Sequence, residues 1–296
     1  MSALREGRVR ANGLEFATLE TGPSDAPLVL CLHGFPDVAR TWRLLLPALA
    51  SVGYRAVAPY LRGYAPTEIP QDGRYQTAVL AQDVLALIEA HGAKRAVVIG
   101  HDWGAVASYG AAILGPERVR RLVTLAVPHR TAGLAIATSY EQQKRSWYVF
   151  FFQSPLAEAA VAAGDFAFID KLWHDWSPGY ELEPAERAAL KRCLAAPGVL
   201  AAALGYYRAF FDPARQDPSL AEVQARIFSA DVPVETLYLH GTDDGCIGVE
   251  TVRGCEAAFP KGLRKVLVEE AGHFLHLERP RVVNEAILDF VGAARP

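Results

Sequence analysis

The segment Gly100-His101-Asp102-Trp103-Gly104 joins an apolar run, AVVIGH (96–101), to a helical pattern, WGAVASYGAAILG (103–115). Glycines on both sides of the central residue relieve crowding in a tight strand-to-helix turn, which holds that residue exposed at the strand end. Such turns often carry serine at the centre; here the residue is aspartate. The exchange decides which carbon can be attacked. A serine attacking an acyl carbon makes an ester, which water cleaves. On a saturated carbon it would make an ether, which a histidine-activated water cannot cleave. A carboxylate attacking a saturated carbon makes an ester, and turnover is restored. Asp102 therefore fits a substrate with an electrophilic saturated carbon, an epoxide or an alkyl halide. The plain alternative is an aspartate that only caps the helix beginning at 103.

Three further segments could complete such a site. His33-Gly34-Phe35-Pro36 follows the apolar run 28–32. The Phe35 N–H can join the Trp103 N–H, at the positive end of a helix, to form an oxyanion hole; the alternative is an ordinary strand-exit turn. Gly241-Thr242-Asp243-Asp244 follows the run 234–240, and a carboxylate there can orient a histidine. Asp244 is the choice and Asp243 the alternative. Ala271-Gly272-His273-Phe274 lies between another run and the last helical pattern. His273 can reach back from there as the base, with His276 as its competitor. His33, His101, His129 and His240 flank the same strand ends and are read as structural. The chain order is nucleophile, acid, histidine.

These residues need a scaffold that gathers strand ends. LVLCLHG (28–34), YRAVAP (54–59), AVVIGH, RLVTLAV (121–127), VETLYLHG (234–241) and RKVLVEEAG (264–272) read as strands. Several are continuously apolar, as strands covered on both faces are. Helical patterns at 41–53, 77–92, 103–115 and 278–294 alternate with them, which predicts a parallel sheet with helices on both faces. RVRANGLEFATLETG reads as an antiparallel hairpin turned at Asn12-Gly13. Between 131 and 228 strand signals vanish, and over half of the chain's aromatic residues fall there. This third reads as an inserted helical cap whose rings both pack a core and roof a pocket.

The chain has 296 residues, 51% of them hydrophobic and 21% charged, with a net charge of −3. No basic run appears, so neither nucleic acid nor an anionic membrane is an expected partner. No stretch reaches the roughly 18 apolar residues of a membrane span. The beginning, MSALREGRVRANG, lacks the apolar region of a secretory signal, and Cys31, Cys193, Cys246 and Cys255 have no CxxC spacing. The expectation is a cytoplasmic chain with free thiols. Neither metal-ligand spacing nor a phosphate-binding loop is present, and no cofactor is expected.

HGFPD (33–37), GHDWG (100–104), W-Y-x-x-x-F-Q-x-P (147–155), Y-Y-R (206–208), G-x-x-D (241–244) and GHFLHLERP (272–280) together resemble the epoxide hydrolases of the α/β-hydrolase superfamily. The resemblance runs over nearly the whole chain. It implies an α/β-hydrolase fold, with a mostly parallel central sheet (1–130 and 229–296) and an inserted helical cap (131–228). It implies Asp102 as nucleophile, His273 as base and Asp244 as orienting acid. Tyr148 and Tyr207 would be cap donors to the opening ring, with Tyr206 as the alternate. Phe35 and Trp103 would supply oxyanion-hole N–H groups, and Trp103 would line the pocket. The implied reactants are a small apolar epoxide and water, and a homodimer is compatible with this reading. The chain departs from some family members at Ala209, where they carry asparagine.

A haloalkane or haloacid dehalogenase would share Asp102, His273 and even Trp103. It would call for a second N–H donor, often asparagine, where this chain has Phe35, or for an arginine where it has Trp103. A serine esterase would need G-x-S-x-G, which is absent. A non-catalytic binding protein would be expected to lack one of the three residues, and all are present.

Overall fold

In the computed structural model, which describes residues 4–294, Asn12 and Gly13 take positive φ values of 43° and 80° and turn strand β1 (Arg5–Ala11) into β2 (Leu14–Thr21). Asparagine and glycine tolerate that left-handed region, which matches the twist of a two-residue hairpin. The remaining strands are β3 (Leu28–Leu32), β4 (Arg55–Pro59), β5 (Ala96–His101), β6 (Val119–Leu125), β7 (Thr236–Gly241) and β8 (Leu263–Val268). They form one eight-stranded sheet in the order β1-β2-β4-β3-β5-β6-β7-β8. β1 and β2 pair antiparallel, β2 pairs antiparallel with β4, and every pairing from β4 to β8 is parallel.

Helices α1 (Leu46–Ser51), α2 (Thr77–Ala90) and α3 (Trp103–Leu114) lie in the first half of the chain, and α11 (Leu275–Glu278) and α12 (Pro280–Val291) close it. In β3, Leu28, Leu30 and Leu32 face the α2 and α3 side, whereas Val29 and Cys31 face α1 and α12. Both sets are buried, so the strand is apolar at every position. Full burial of one such side chain contributes roughly 1.5–3 kcal/mol.

Between β6 and β7 the chain forms α4 (Thr131–Thr138), α5 (Tyr140–Arg145), α6 (Trp147–Phe151), α7 (Ala157–Trp176), α8 (Pro184–Ala195), α9 (Val199–Phe211) and α10 (Ala221–Ser229). α10 packs on α2 and α3 in the helix layer of the sheet. Phe152, Trp173, Leu204 and Tyr206, in or beside the helices α6 to α9, belong to the same apolar cluster as Leu30 and Val98 of the sheet. The insertion and that face of the sheet thus share one core. Among the described residues no single helix is long and apolar enough to cross a membrane.

Several sequence boundaries shift by a few residues. The pattern at 41–53 becomes a 3-10 turn (Ala39–Leu44) followed by α1, and the run 264–272 ends as a strand at Val268. The shortened strand leaves a loop long enough to carry His273 back over the sheet edge.

Candidate active site

β3 has β4 on one side and β5 on the other, so the strand order reverses direction there. Crevices at such switch points, beyond the carboxyl ends of the strands, are where open α/β sheets bind ligands. Phe35 and Asp102 leave β3 and β5 at this point.

Asp102 has φ 52° and ψ −119°, a conformation that non-glycine residues rarely adopt. It is over-determined by its glycines. A Cβ at Gly100 would lie 2.3 Å from the Gly104 carbonyl oxygen, and one at Gly104 would lie 2.2 Å from that of Leu32. The Asp102 side chain makes no capping bond to α3. Instead Oδ1 accepts the Phe35 N–H at 2.7 Å. A Cβ at Gly34 would lie 2.2 Å from that same oxygen, so only glycine leaves room for the carboxylate. The Trp103 N–H, first in α3, has no carbonyl of its own helix to reach. The Phe35-Pro36 bond is cis.

Asp102 Oδ2 lies 3.6 Å from His273 Nε2, and His273 Nδ1 lies 2.9 Å from Asp244 Oδ2. Nδ1 donates to Asp244, which leaves Nε2 as the basic nitrogen, and Nε2 has no hydrogen-bond partner within the protein. Asp244 Oδ1 accepts the N–H groups of Cys246 and Ile247, both at 2.8 Å. Burial alone would pull the His273 pKa down. The Asp244 and Asp102 carboxylates outweigh it and hold the imidazole well above its ordinary 6.5. Asp243 takes no part: its N–H donates to the Ala271 carbonyl and its carboxylate accepts from the Thr242 hydroxyl. His276 is buried against Thr41 Oγ1 at 2.5 Å, with its pKa pushed down to about 3 by burial. His101 Nε2 meets the His273 carbonyl at 2.9 Å, and His33 receives the Leu61 N–H at 3.0 Å.

Tyr148 and Tyr207 stand over Asp102 on α6 and α9, with ring centroids 5.8 Å apart. The three residues line one pocket of about 370 Å³, together with Trp103, Val149 and Ile247. The Tyr207 hydroxyl is buried without a partner. The Tyr148 hydroxyl has the Cys246 Sγ at 3.2 Å, a weak partner. Burial pushes both phenols well above their ordinary value, so both stay protonated at neutral pH. Tyr206 turns the other way and donates to the Arg62 carbonyl at 2.7 Å. With alanine at 209, Tyr207 faces the pocket, because Phe35, Phe152 and Trp103 pack edge-on around its ring.

Sequence reading missed two residues. Cys246 touches Tyr148 and lies beside His273; its place two positions past Asp244 was the available signal. Trp176 closes α7, and its carbonyl accepts the N–H groups of Gly245 and His273, so the insertion pins the loops that carry Asp244 and His273. A Cβ at Gly245 would lie 2.0 Å from the Asp175 carbonyl oxygen. Ligand-type atoms of Asp244, Cys246 and His273 lie within 4.8 Å of one another, but each residue is already engaged with its neighbours in the site.

A carboxylate on a strained turn that accepts a backbone N–H, beside a histidine held by a second carboxylate, all at one sheet edge, defines an α/β-hydrolase arrangement. The chain belongs to the α/β-hydrolase-fold family, whose model matches residues 27–280. It is 32% identical to epoxide hydrolase 3 of Xenopus tropicalis over 96% of this chain and 76% of that protein. It is 30% identical to the AB hydrolase superfamily protein YfhM of Bacillus subtilis over 96% of both chains. Among solved structures, epoxide hydrolase A of Mycobacterium thermoresistibile superposes with a TM-score of 0.84 at 28% identity over 99% of each chain. Within the family, then, the chain groups with proteins that carry the name epoxide hydrolase.

Proposed function

We propose that this protein hydrolyses an apolar epoxide to a vicinal diol through an ester on Asp102, with the inserted helices acting as a cap over the site. The observation that carries this reading is the pair of buried phenols facing the carboxylate. The Tyr207 hydroxyl has no partner and the Tyr148 hydroxyl has only a thiol. Both can donate to one substrate oxygen. An alkoxide leaving group needs a proton, whereas a halide does not.

With Oδ1 engaged by Phe35, Oδ2 is the oxygen that attacks a ring carbon. The ring C–O bond breaks, and its oxygen takes a proton from one phenol while the other donates a hydrogen bond. Oδ1 then becomes the ester carbonyl oxygen. His273 Nε2 takes a proton from water as the water oxygen bonds to the Asp102 carboxyl carbon. Charge develops on Oδ1, where the Phe35 and Trp103 N–H groups stabilise it; one such donor typically contributes about 3 kcal/mol. Collapse releases the diol, whose leaving oxygen takes the proton from His273. The proton of the re-formed Asp102 acid returns to the phenolate through solvent. Asp244 keeps the imidazole tautomer correct and stabilises its charged form.

The test is His273→Gln incubated with a panel of aryl and alkyl epoxides and followed by intact-protein mass spectrometry. An adduct of substrate mass, mapped to Asp102, is expected because ester formation survives and hydrolysis stops. Absence of any adduct, with wild-type protein that opens no epoxide, sinks the reading. Halide release from haloalkanes at rates matching epoxide turnover would favour a dehalogenase. The four buried, unpaired cysteines support the cytoplasm as its compartment.

A further inference from the structure

The pocket that reaches Asp102 extends to one side only. From Asp102 it runs past Trp103, Val127 and Ala132 to a rim formed by Leu134, Phe211 and Phe228. Those rim side chains are 63%, 39% and 41% exposed, whereas Asp102, Tyr148 and Tyr207 are 6%, 3% and 4% exposed. The mouth is therefore on the α4 and α10 side. The pocket is apolar along its length. Of its two basic residues, Arg130 is paired with Asp231 at 2.9 Å and His129 Nε2 meets the Ala230 carbonyl at 3.1 Å. A volume of about 370 Å³ suits a small organic molecule.

The opposite side is a wall. Phe35, Phe152, Trp176 and Phe274 are at most 2% exposed, and none of them lines the pocket. Their rings close around the reacting groups: Phe35 on Phe152 at 5.5 Å, Phe152 on Tyr148 at 5.5 Å, Tyr148 on Trp176 at 4.8 Å and Trp176 on His273 at 5.3 Å. Behind them Trp173 stacks on Phe274 with centroids 3.4 Å apart, and its indole N–H donates to the Pro36 carbonyl at 2.9 Å. Close-packed interiors resist the insertion of extra atoms.

An epoxide presents two adjoining carbons, and substituents on the two point away from each other along the C–C axis. With the ring oxygen at the phenols and one carbon at Asp102 Oδ2, a single arm accommodates a substituent on one carbon. A substituent on the other carbon meets the wall. We infer that the site is one-armed and that its substrates are terminal epoxides with one extended alkyl or aryl substituent, epoxides substituted on both carbons being rejected. This inference rests on the epoxide-hydrolase reading.

The experiment compares two isomers of one formula, 1,2-epoxyoctane and trans-4,5-epoxyoctane, by initial-rate kcat/KM. The terminal isomer is expected to be favoured by at least ~100-fold, the scale on which a packed pocket discriminates by shape. Phe152→Ala, which thins the wall, is expected to shrink that ratio at least ~10-fold. Ala132→Trp, which fills the arm, is expected to lower kcat/KM for the terminal isomer. The ratio of two substrates on the same variant is insensitive to any general loss from disturbed packing around the tyrosines. Comparable turnover of both isomers by the wild-type protein, or a ratio that Phe152→Ala leaves unchanged, overturns the one-armed site and leaves the epoxide reading standing. Failure to open either isomer, with no adduct in His273→Gln, overturns both.

Discussion

Asp102, Asp244 and His273 stand at strand ends and are fixed through backbone hydrogen bonds, whereas Tyr148 and Tyr207 stand on inserted helices and are held by the packing of rings. Phe35, Cys246 and Ile247 lend N–H groups to the two carboxylates, and the Trp176 carbonyl receives that of His273. The phenols pack against several rings but keep their hydroxyl groups almost unengaged. The difference follows the charge. Groups that carry charge in a buried place must be hydrogen-bonded before substrate arrives, because an unpaired buried charge is expensive. On the proposed mechanism the phenols bond to the substrate; they keep spare donors for it, and a weak partner such as the Cys246 thiol is readily given up.

The strand-end half should be the less forgiving of the two. Asp244→Asn keeps the shape but favours the wrong tautomer of His273, and kcat should fall roughly 10^4-fold. Rapid-quench kinetics should show the ester forming and then persisting. A loss below ~10-fold would mean that backbone-fixed charge is not what holds this half. In the inserted half, the double change Tyr148→Phe with Tyr207→Phe should lower the rate of ester formation by about 10^3-fold. Each single change should lower it by roughly 10 to 100-fold, since the remaining phenol still donates to the same oxygen. A double variant no worse than the singles would show that neither hydroxyl assists ring opening without the other.

The smallest effect concerns pH and lies within the strand-end half. His273 acts as a base only when neutral, and in the free protein its pKa is held well above 6.5. On the proposed mechanism, ester hydrolysis is therefore present above the imidazole pKa of the ester intermediate and lost as pH falls through it. Ester formation removes the Asp102 charge, one of the groups that raise the imidazole against burial, so its pKa should fall once the intermediate exists. The acid limb of single-turnover hydrolysis should lie below the His273 titration of the free protein followed by NMR. Coincidence of the two would show that Asp102 does not act on His273.

The order of residues along the chain already specified the strand-end half. Alternating apolar runs and helical patterns fix a parallel sheet, and its strand ends must gather residues 35, 102, 244 and 273, because side-chain period and chain direction leave few other arrangements. Asp102 in place of serine is what points the proposed attack at a saturated carbon, since that is a property of the functional group alone. The choice of Asp244 over Asp243 and of Tyr207 over Tyr206 was not settled by the residues themselves. One position along a turn or a helix reverses where a side chain points, and packing against distant elements decides which orientation survives. The partners that decide it are the N–H groups of Cys246 and Ile247 for Asp244, and the Arg62 carbonyl, which draws Tyr206 away. Cys246 beside Tyr148, the Trp176 carbonyl beneath His273 and the one-sided shape of the pocket belong wholly to the tertiary structure. Each joins segments distant in the chain, Tyr148 and Cys246 standing 98 positions apart, and no local pattern records such a meeting.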